Sequence, residues 1–140
     1  LAGILLLAAQ ATAPAAAPRE IDPKVAAQVP VIAGKLEQWR GAWGAAGGKL
    51  ACKTVRTSGD EEIDALGCAS MIACVKPAYP ALKTIADGKA AVDVKKRQIA
   101  AKLATLQPCM KAHRGQGIAE LALKRGRGCT GRTASRKRCW

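Results

Sequence analysis

The chain has 140 residues, a length typical of a single domain. It contains no Phe and one Tyr, and aromatic residues make up 3% of it, so the core must be built mainly from Ala, Leu, Ile and Val. A core of Ala, Leu, Ile and Val buries less area per side chain, so a domain of this size is marginally stable, and small exported domains often add disulfides. Six cysteines, an even number, fit that need.

Positive charge is concentrated in the C-terminal third of the chain. The whole sequence carries 23 Lys and Arg against 10 Asp and Glu, a formal net charge of +13. Residues 95–140 hold 13 of these cations and one acid, Glu120, whereas residues 1–94 carry a net charge of +1. A block this basic predicts an anionic partner, namely lipid headgroups, lipopolysaccharide or nucleic acid.

The first 20 residues resemble an export signal followed by a linker. Residues 1–11 combine an apolar run with the A-x-A pattern Ala9-Gln10-Ala11, which is typical of a signal peptide and its cleavage site, and residues 12–20 form an Ala/Pro linker. The apolar run has about half of the roughly 20 residues that a membrane span needs. We therefore expect a periplasmic or secreted protein whose mature chain has no transmembrane span.

The next stretch predicts a helix and a short strand. Asp22 and Pro23 are typical of a helix start, and apolar residues then recur every three or four positions, which predicts one helix that Pro30 kinks or restarts. The glycine-rich residues 41–48 should end this helix, and residues 49–57 have the composition of a short strand. The helical stripe consists of Val25, Val29, Ile32, Leu36, Trp39 and Trp43.

A second helix should follow the turn after the strand. Ser58 and Glu61 have the spacing of a capping box, which predicts the helix start. The acidic residues at 60–64 would then complement the helix dipole. The Pro-containing stretch 76–80 should end this helix.

Two more helices complete the predicted fold. The third covers residues 80–106 with a kink at Gly88, and the fourth ends near Arg125. Beyond it the apolar pattern is lost, so residues 126–140 should be a basic loop or disordered tail. The predicted architecture is mainly α, a small disulfide-stapled bundle of about four helices within residues 21–125. That bundle should contain one short strand or hairpin near residues 49–57.

The cysteine spacing argues against a metal site and against catalysis. Successive cysteines are 16, 6, 35, 20 and 10 residues apart, so the closely spaced ligand pairs of zinc sites are absent from the sequence. Cys109 and His113 lie four apart on a predicted helix, which is a weak metal signal alone. His113 is the single histidine, and no nucleophile motif accompanies it. We therefore expect no metal, no cofactor and no enzyme activity, and a half-exposed surface position for His113.

With metal binding and catalysis disfavoured, we expect the cysteines to form disulfides. Cys68 and Cys74 would lie about 9 Å apart on one helix, beyond disulfide reach, so each needs a partner elsewhere. A bridge from the strand to Cys68 would span the turn, and a bridge from Cys74 would clamp the second helix to the end of the third. The expected pairing, one of 15 connectivities, is Cys52–Cys68, Cys74–Cys109 and Cys129–Cys139.

Residues 52–68 also resemble a known segment. Their sequence, CKTVRTSGDEEIDALGC, fits the pattern C-x-V-x-x-S-G-x-x-x-[LI]-D-x-x-x-C and is similar to a stretch of some bacterial TonB C-terminal domains. The resemblance implies a local strand, turn and helix with a bridge between Cys52 and Cys68. It covers 17 of 140 residues, and an Ala/Lys-rich helical pattern follows where that domain has paired strands, so energy transduction is not implied.

The predicted function is non-catalytic binding of an anionic envelope component or polyanion by the basic C-terminal region. Three alternatives remain open: a TonB-like envelope adaptor, which predicts a sheet after residue 76; a cationic antimicrobial or toxin-like protein; and an exported enzyme, which predicts a pocket around His113. The predicted anion-binding residues are Lys124, Arg125, Arg127, Arg132, Arg136, Lys137 and Arg138.

Overall fold

The computed structural model describes residues 21–128, which form four helices and one β-hairpin. The mainly α fold predicted from the sequence is confirmed. The signal-like segment, the linker, the Cys129–Cys139 pair and the four last predicted anion-binding residues lie outside the described residues. The elements in chain order are α1 (Pro23–Gln38), β1 (Arg40–Ala46), β2 (Lys49–Arg56), α2 (Glu61–Asp87), α3 (Val92–Ala104) and α4 (Gln107–Gly126).

Helix α1 begins as predicted and ends earlier than predicted. The Asp22 side chain accepts a hydrogen bond of 2.8 Å from the Lys24 backbone N–H, and the helix runs through Pro30 to Gln38. The prediction that the stripe continues helically to Trp43 is wrong. Trp39 already has an extended backbone, with φ −72° and ψ 139°, and Trp43 lies in β1. Gly41 and Gly44 disfavour another helical turn, and pairing with β2 holds this segment extended, although its alanines by themselves favour a helix.

The hairpin was predicted only in its second strand. Strands β1 and β2 are antiparallel, and Ala46 pairs with Lys49 across a two-residue loop. Gly47 and Gly48 both have positive φ, 57° and 76°, as the tight turn of such a hairpin requires. Because side chains alternate between the two faces of a strand, one face of the hairpin packs against α2 and the other is exposed.

Helix α2 begins with Asp60 as its cap, so the predicted capping box is wrong. The Asp60 side chain accepts hydrogen bonds from the backbone N–H groups of Glu62 and Ile63, at 3.1 and 3.3 Å. Ser58 lies outside the helix, where its backbone N–H and hydroxyl donate to the Asp64 carboxylate. Asp caps a helix as well as Ser does. Ser58 instead stabilises the turn before the helix through its hydrogen bonds to Asp64.

The predicted end of the second helix near residues 76–80 is also wrong. Helix α2 runs through Pro77 and Pro80, both exposed, and ends at Asp87, where Gly88 is its C-terminal cap rather than a kink. A proline inside a helix costs one hydrogen bond. Burial of the apolar side of this helix offsets that cost. Helix α3 accordingly begins at residue 92 and not at 80, whereas the predicted end of the fourth helix is confirmed by α4.

Two groups of buried side chains lie along α2. The Trp39 cluster joins α1, α2 and α4, and the Val75 cluster joins the second half of α2 with partly buried residues of the hairpin and α3. The buried members of the Trp39 cluster are Val25, Ile32, Leu36, Trp39, Ile63, Leu121 and Ala122. The Val75 cluster has buried Val75, Ala78 and Leu82, with Trp43, Leu50, Met71, Ile99, Leu103 and Leu106 packed against them.

Two disulfides join the elements, as predicted. Cys52 in β2 is bonded to Cys68 in α2, with Cα atoms 5.5 Å apart, and Cys74 in α2 is bonded to Cys109 in α4, with Cα atoms 5.9 Å apart. The second bridge joins the middle of α2 to the start of α4. Because Arg125 at the end of α4 also contacts Asp60 at the start of α2, the two helices run antiparallel.

Among the described helices, α2 is the one with the length and apolar composition of a membrane span. It has 27 residues, and its buried positions pack against the other elements of the domain. The expectation that the mature chain has no span therefore stays a prediction.

Candidate functional site

Two of the predicted anion-binding residues are paired with carboxylates of the same chain. At the end of α4, Lys124 Nζ lies 2.9 Å from Glu62 Oε2. Arg125 Nη2 lies 2.8 Å from Asp60 Oδ1 and 3.5 Å from Glu62 Oε1. Lys35 of α1 approaches the same Asp60 carboxylate at 3.9 Å. This ion-pair cluster holds the end of α4 and the end of α1 to the start of α2.

The ion pairs of the cluster favour the charged forms of Asp60, Glu62 and Arg125. The hydrogen bond from Arg125 holds the pKa of Asp60 below its usual value, although partial burial opposes the shift. The hydrogen bond from Lys124 likewise lowers the pKa of Glu62, and the bond to Asp60 raises the pKa of Arg125. The charges of Lys124 and Arg125 are therefore matched by carboxylates within the domain, and anion binding by these two residues stays a prediction.

An unmatched cationic surface lies instead on the exposed side of the hairpin. We call this surface the hairpin outer face. None of its cations lies within 4 Å of a carboxylate oxygen in residues 21–128, whereas every cation of the ion-pair cluster does. The face consists of Arg40, Ala42, Gly44 and Ala46 of β1 and Lys49, Ala51, Lys53, Val55 and Arg56 of β2.

A β-bulge completes this arrangement. Arg40 pairs with Arg56, whereas the next residue, Gly41, pairs with Thr54, so Val55 is the extra residue of β2. Without the bulge, strict alternation would place Arg56 on the face that packs against α2. The bulge therefore brings Arg56 to the same side as Arg40, Lys49 and Lys53.

Sequence reasoning missed this face, although a signal for it exists. Between Glu37 and Asp60 the chain contains four cations and no acid, and Lys49, Ala51 and Lys53 follow the alternation of a strand. The prediction was based instead on the C-terminal third, whose net positive charge is much larger than that of the hairpin. The first strand also went unrecognised because its alanines and glycines have low strand propensity.

A cleft of about 710 Å³ separates α2 from α4. Ala65, Ala69 and Ala73, one helical turn apart on α2, form one side of it, and Glu62 and Lys124 lie at one end. His113 is among the residues that line this open cleft, and the enzyme alternative stays a prediction. The hydroxyl of Ser70, which also lines the cleft, donates to the Leu66 carbonyl oxygen at 2.9 Å and is used within the helix.

His113 lies beside the Cys74–Cys109 disulfide. A ring nitrogen of this exposed histidine and the two sulfur atoms lie within 4.8 Å of one another. Cys74 is buried at 2% exposure and Cys109 is half-buried. The sequence pattern pairs Cys109 with His113 and gives no sign of Cys74. The predicted Cys74–Cys109 bridge, however, already implies that Cys74 lies beside them.

No protein-family model, curated protein or solved structure matches this chain. The similarity of residues 52–68 to the TonB segment therefore stays a prediction. The described chain after residue 76 consists of helices and their connections, in place of the sheet that a TonB-like adaptor requires.

Proposed function

We propose that this chain is an exported, non-catalytic protein that binds anionic lipid headgroups or lipopolysaccharide at an envelope surface. Binding uses the hairpin outer face together with the basic C-terminal region. The Cys52–Cys68 and Cys74–Cys109 disulfides are compatible with a periplasmic or extracellular location. The observation that carries the proposal is the set of four hairpin cations without a carboxylate partner among the described residues.

The charge and shape of the hairpin outer face support this partner class. Each cation that reaches the surface of an anionic membrane contributes about 1 kcal/mol to binding. Small side chains between the cations let the face approach a surface closely. Val55, which is 68% exposed, adds an apolar group beside Lys53 and Arg56. Cations mixed with apolar groups suit the boundary between headgroups and acyl chains.

Nucleic acid fits this face less well. Proteins that bind single strands without sequence preference stack bases on aromatic side chains. The aromatic residue of the hairpin, Trp43, points the other way and contacts Tyr79 edge to face, with ring centroids 6.4 Å apart. The hairpin outer face itself has no aromatic side chain, so lipid is the better partner.

The C-terminal region contributes charge in this proposal rather than a shaped site. Lys124 and Arg125 are assigned to the ion-pair cluster. The remaining cations of the region act on an anionic surface through their number, and Trp140 adds an aromatic group suited to a membrane interface. The cations beyond the described residues are Arg132, Arg136, Lys137 and Arg138.

Vesicle binding by the full chain tests the proposal. We expect binding to vesicles that contain anionic phospholipid, and a loss of binding as salt is added. The double variant Lys49→Gln, Lys53→Gln should bind about 30-fold more weakly, since two cations of about 1 kcal/mol each are lost. The matched control is Lys83→Gln, Arg97→Gln, which removes the same net charge from residues already paired with Asp87 and Asp93.

Equal losses in the two double variants would contradict a specific role of the hairpin and leave only the net charge. A chain that ends at residue 128 should bind more weakly than the full chain and should keep its helical circular dichroism. Binding that is indifferent to salt, or tighter to duplex DNA than to anionic vesicles at the same ionic strength, would contradict the lipid assignment.

A further inference from the structure

The group formed by Cys74, Cys109 and His113 has the composition of a soft-metal site. Cys109 and His113 are separated by one turn of α4, so their side chains lie on the same side of that helix. The Cys74–Cys109 bridge brings a sulfur atom from α2 to the same point. Two thiolates and one imidazole are a ligand set that favours Zn²⁺ or Cu⁺ over Mg²⁺ and Ca²⁺.

We infer that reduction of the Cys74–Cys109 disulfide converts this group into a metal-binding site for Zn²⁺ or a similar soft cation. In the oxidised protein both sulfurs are part of a neutral disulfide, so neither is the thiolate that binds a metal. In the reduced protein Cys74, Cys109 and His113 supply three ligands. Since His113 is exposed, solvent can supply the fourth.

The conversion balances with a dithiol as the reductant. The dithiol gives two electrons and two protons to the disulfide, the bond between Cys74 and Cys109 breaks, and the dithiol becomes a disulfide itself. Zinc then replaces the two thiol protons, which are released to solvent. Reoxidation to the disulfide expels the metal, so metal binding and bridge formation exclude one another.

The positions of the three groups require only local adjustment for this. Zn–S bonds of about 2.3 Å in a tetrahedral site separate two sulfur atoms by roughly 3.8 Å. The Cα atoms of Cys74 and Cys109 are 5.9 Å apart, and rotation of the two side chains can separate the sulfurs that far. Without the bridge, α2 and α4 are still held together by the Trp39 cluster and by the Lys124–Glu62 and Arg125–Asp60 ion pairs.

The single histidine of the chain gives a direct readout. The imidazole proton signals in a nuclear magnetic resonance spectrum of the full chain belong to His113 alone. We expect Zn²⁺ to shift these signals at one equivalent in protein reduced by a phosphine, and to leave them in place in oxidised protein. Unshifted signals in reduced protein that retains its helical circular dichroism would overturn the inference.

Matched variants separate this site from the other cysteines. In a chain with Cys52, Cys68, Cys129 and Cys139 changed to Ser, reduced protein should still bind one Zn²⁺ in competition with a chromophoric chelator. Adding His113→Ala removes a direct ligand and should weaken that binding by at least about 10-fold, since loss of an outer-shell partner alone costs about 10-fold to 100-fold. An unchanged affinity would overturn the inference.

If the serine variant does not fold, the same comparison is made in the full chain. There, reduced wild-type protein should show the zinc-dependent imidazole shift and a Cys74→Ser variant should not. A shift of equal size in both would mean that the tail cysteines or unfolded chain bind the metal, and the site proposed here would be wrong.

Discussion

The two halves of helix α2 are stabilised in different ways. Around the first half, the Trp39 cluster draws side chains from three helices, and Ile32, Trp39 and Ile63 are at most 1% exposed. Around the second half, the Val75 cluster has three buried residues and otherwise partly buried ones, and α3, which packs there, contains no buried residue.

The difference shows how a chain with few aromatic residues concentrates its stability. Trp39 is closely enclosed, since a Cβ atom added at Gly41 or at Gly67 would lie 2.3 or 2.6 Å from its ring. Its Nε1 donates to Thr54 Oγ1 at 3.0 Å, and Arg114 Cζ lies 5.9 Å from the ring centre. Trp43, in contrast, is only partly buried and contacts Tyr79 edge to face. We therefore expect the region around the Val75 cluster to unfold locally more readily than the region around the Trp39 cluster.

Replacing Trp39 and Trp43 separately should give the largest difference in stability between the two clusters. Trp39→Ala should lower the free energy of unfolding by about 3 to 5 kcal/mol, because a fully buried ring is replaced by a cavity. Trp43→Ala should cost about 1 to 2 kcal/mol, because its ring is only partly buried and less apolar area is lost. Urea unfolding followed by circular dichroism measures both. Equal losses would show that the two clusters contribute alike.

Adding one methyl group at a glycine tests how tightly Trp39 is enclosed. Gly67→Ala should destabilise the protein by about 1 to 3 kcal/mol, because its Cβ would overlap the fixed indole ring. Gly115→Ala on α4 is the control, since a Cβ atom there meets nothing within 4 Å. It should stabilise the helix by about 0.5 to 1 kcal/mol. Thermal unfolding that moves in the same direction in both variants would contradict the close packing.

The smallest expected effect comes from the ion-pair cluster beside the Trp39 cluster. Asp60→Asn keeps an oxygen that can cap α2 and removes the charge that faces Arg125, so about 1 kcal/mol of stability should be lost at neutral pH. Asp93→Asn on α3, which removes an exposed pair with Arg97, should change stability by a few tenths of a kcal/mol at most.

The pH dependence of the same variant sharpens this prediction. Because the pKa of Asp60 is lowered in the folded state, its stabilisation is complete above its pKa in the unfolded chain, about 3.9. It is lost as the pH falls through the lower pKa of the folded state. The difference in unfolding free energy between wild type and Asp60→Asn should therefore shrink below about pH 4. A difference that is constant from pH 7 to pH 3 would contradict the charge-based role.

Local sequence signals predicted the parts of this fold that depend on few neighbours. The cap at Asp22 and the end of α4 were predicted, as was the short strand at 49–57, because backbone propensity and capping act within a few residues. The two described disulfides were predicted because Cys68 and Cys74 cannot bond each other and each needs a partner on another element.

Features that depend on packing were predicted wrongly or missed. Prolines at 77 and 80 normally end a helix, but the buried side of α2 offsets their local cost. Trp43 continues the helical stripe in sequence, yet it lies in a strand because β1 pairs with β2 through the Gly47-Gly48 turn and the hairpin packs against α2. In both cases a tertiary contact outweighs a local preference of smaller size.

The sequence alone determined the charge of this protein, the even set of cysteines and the number of helices, because composition and short-range periodicity specify them. The tertiary structure decided which cations have a carboxylate partner. Lys124 and Arg125 meet carboxylates only because α4 runs antiparallel to α2, and Arg56 joins the hairpin outer face only because of a bulge at Val55. Such contacts join residues far apart in the chain, and no local signal encodes them.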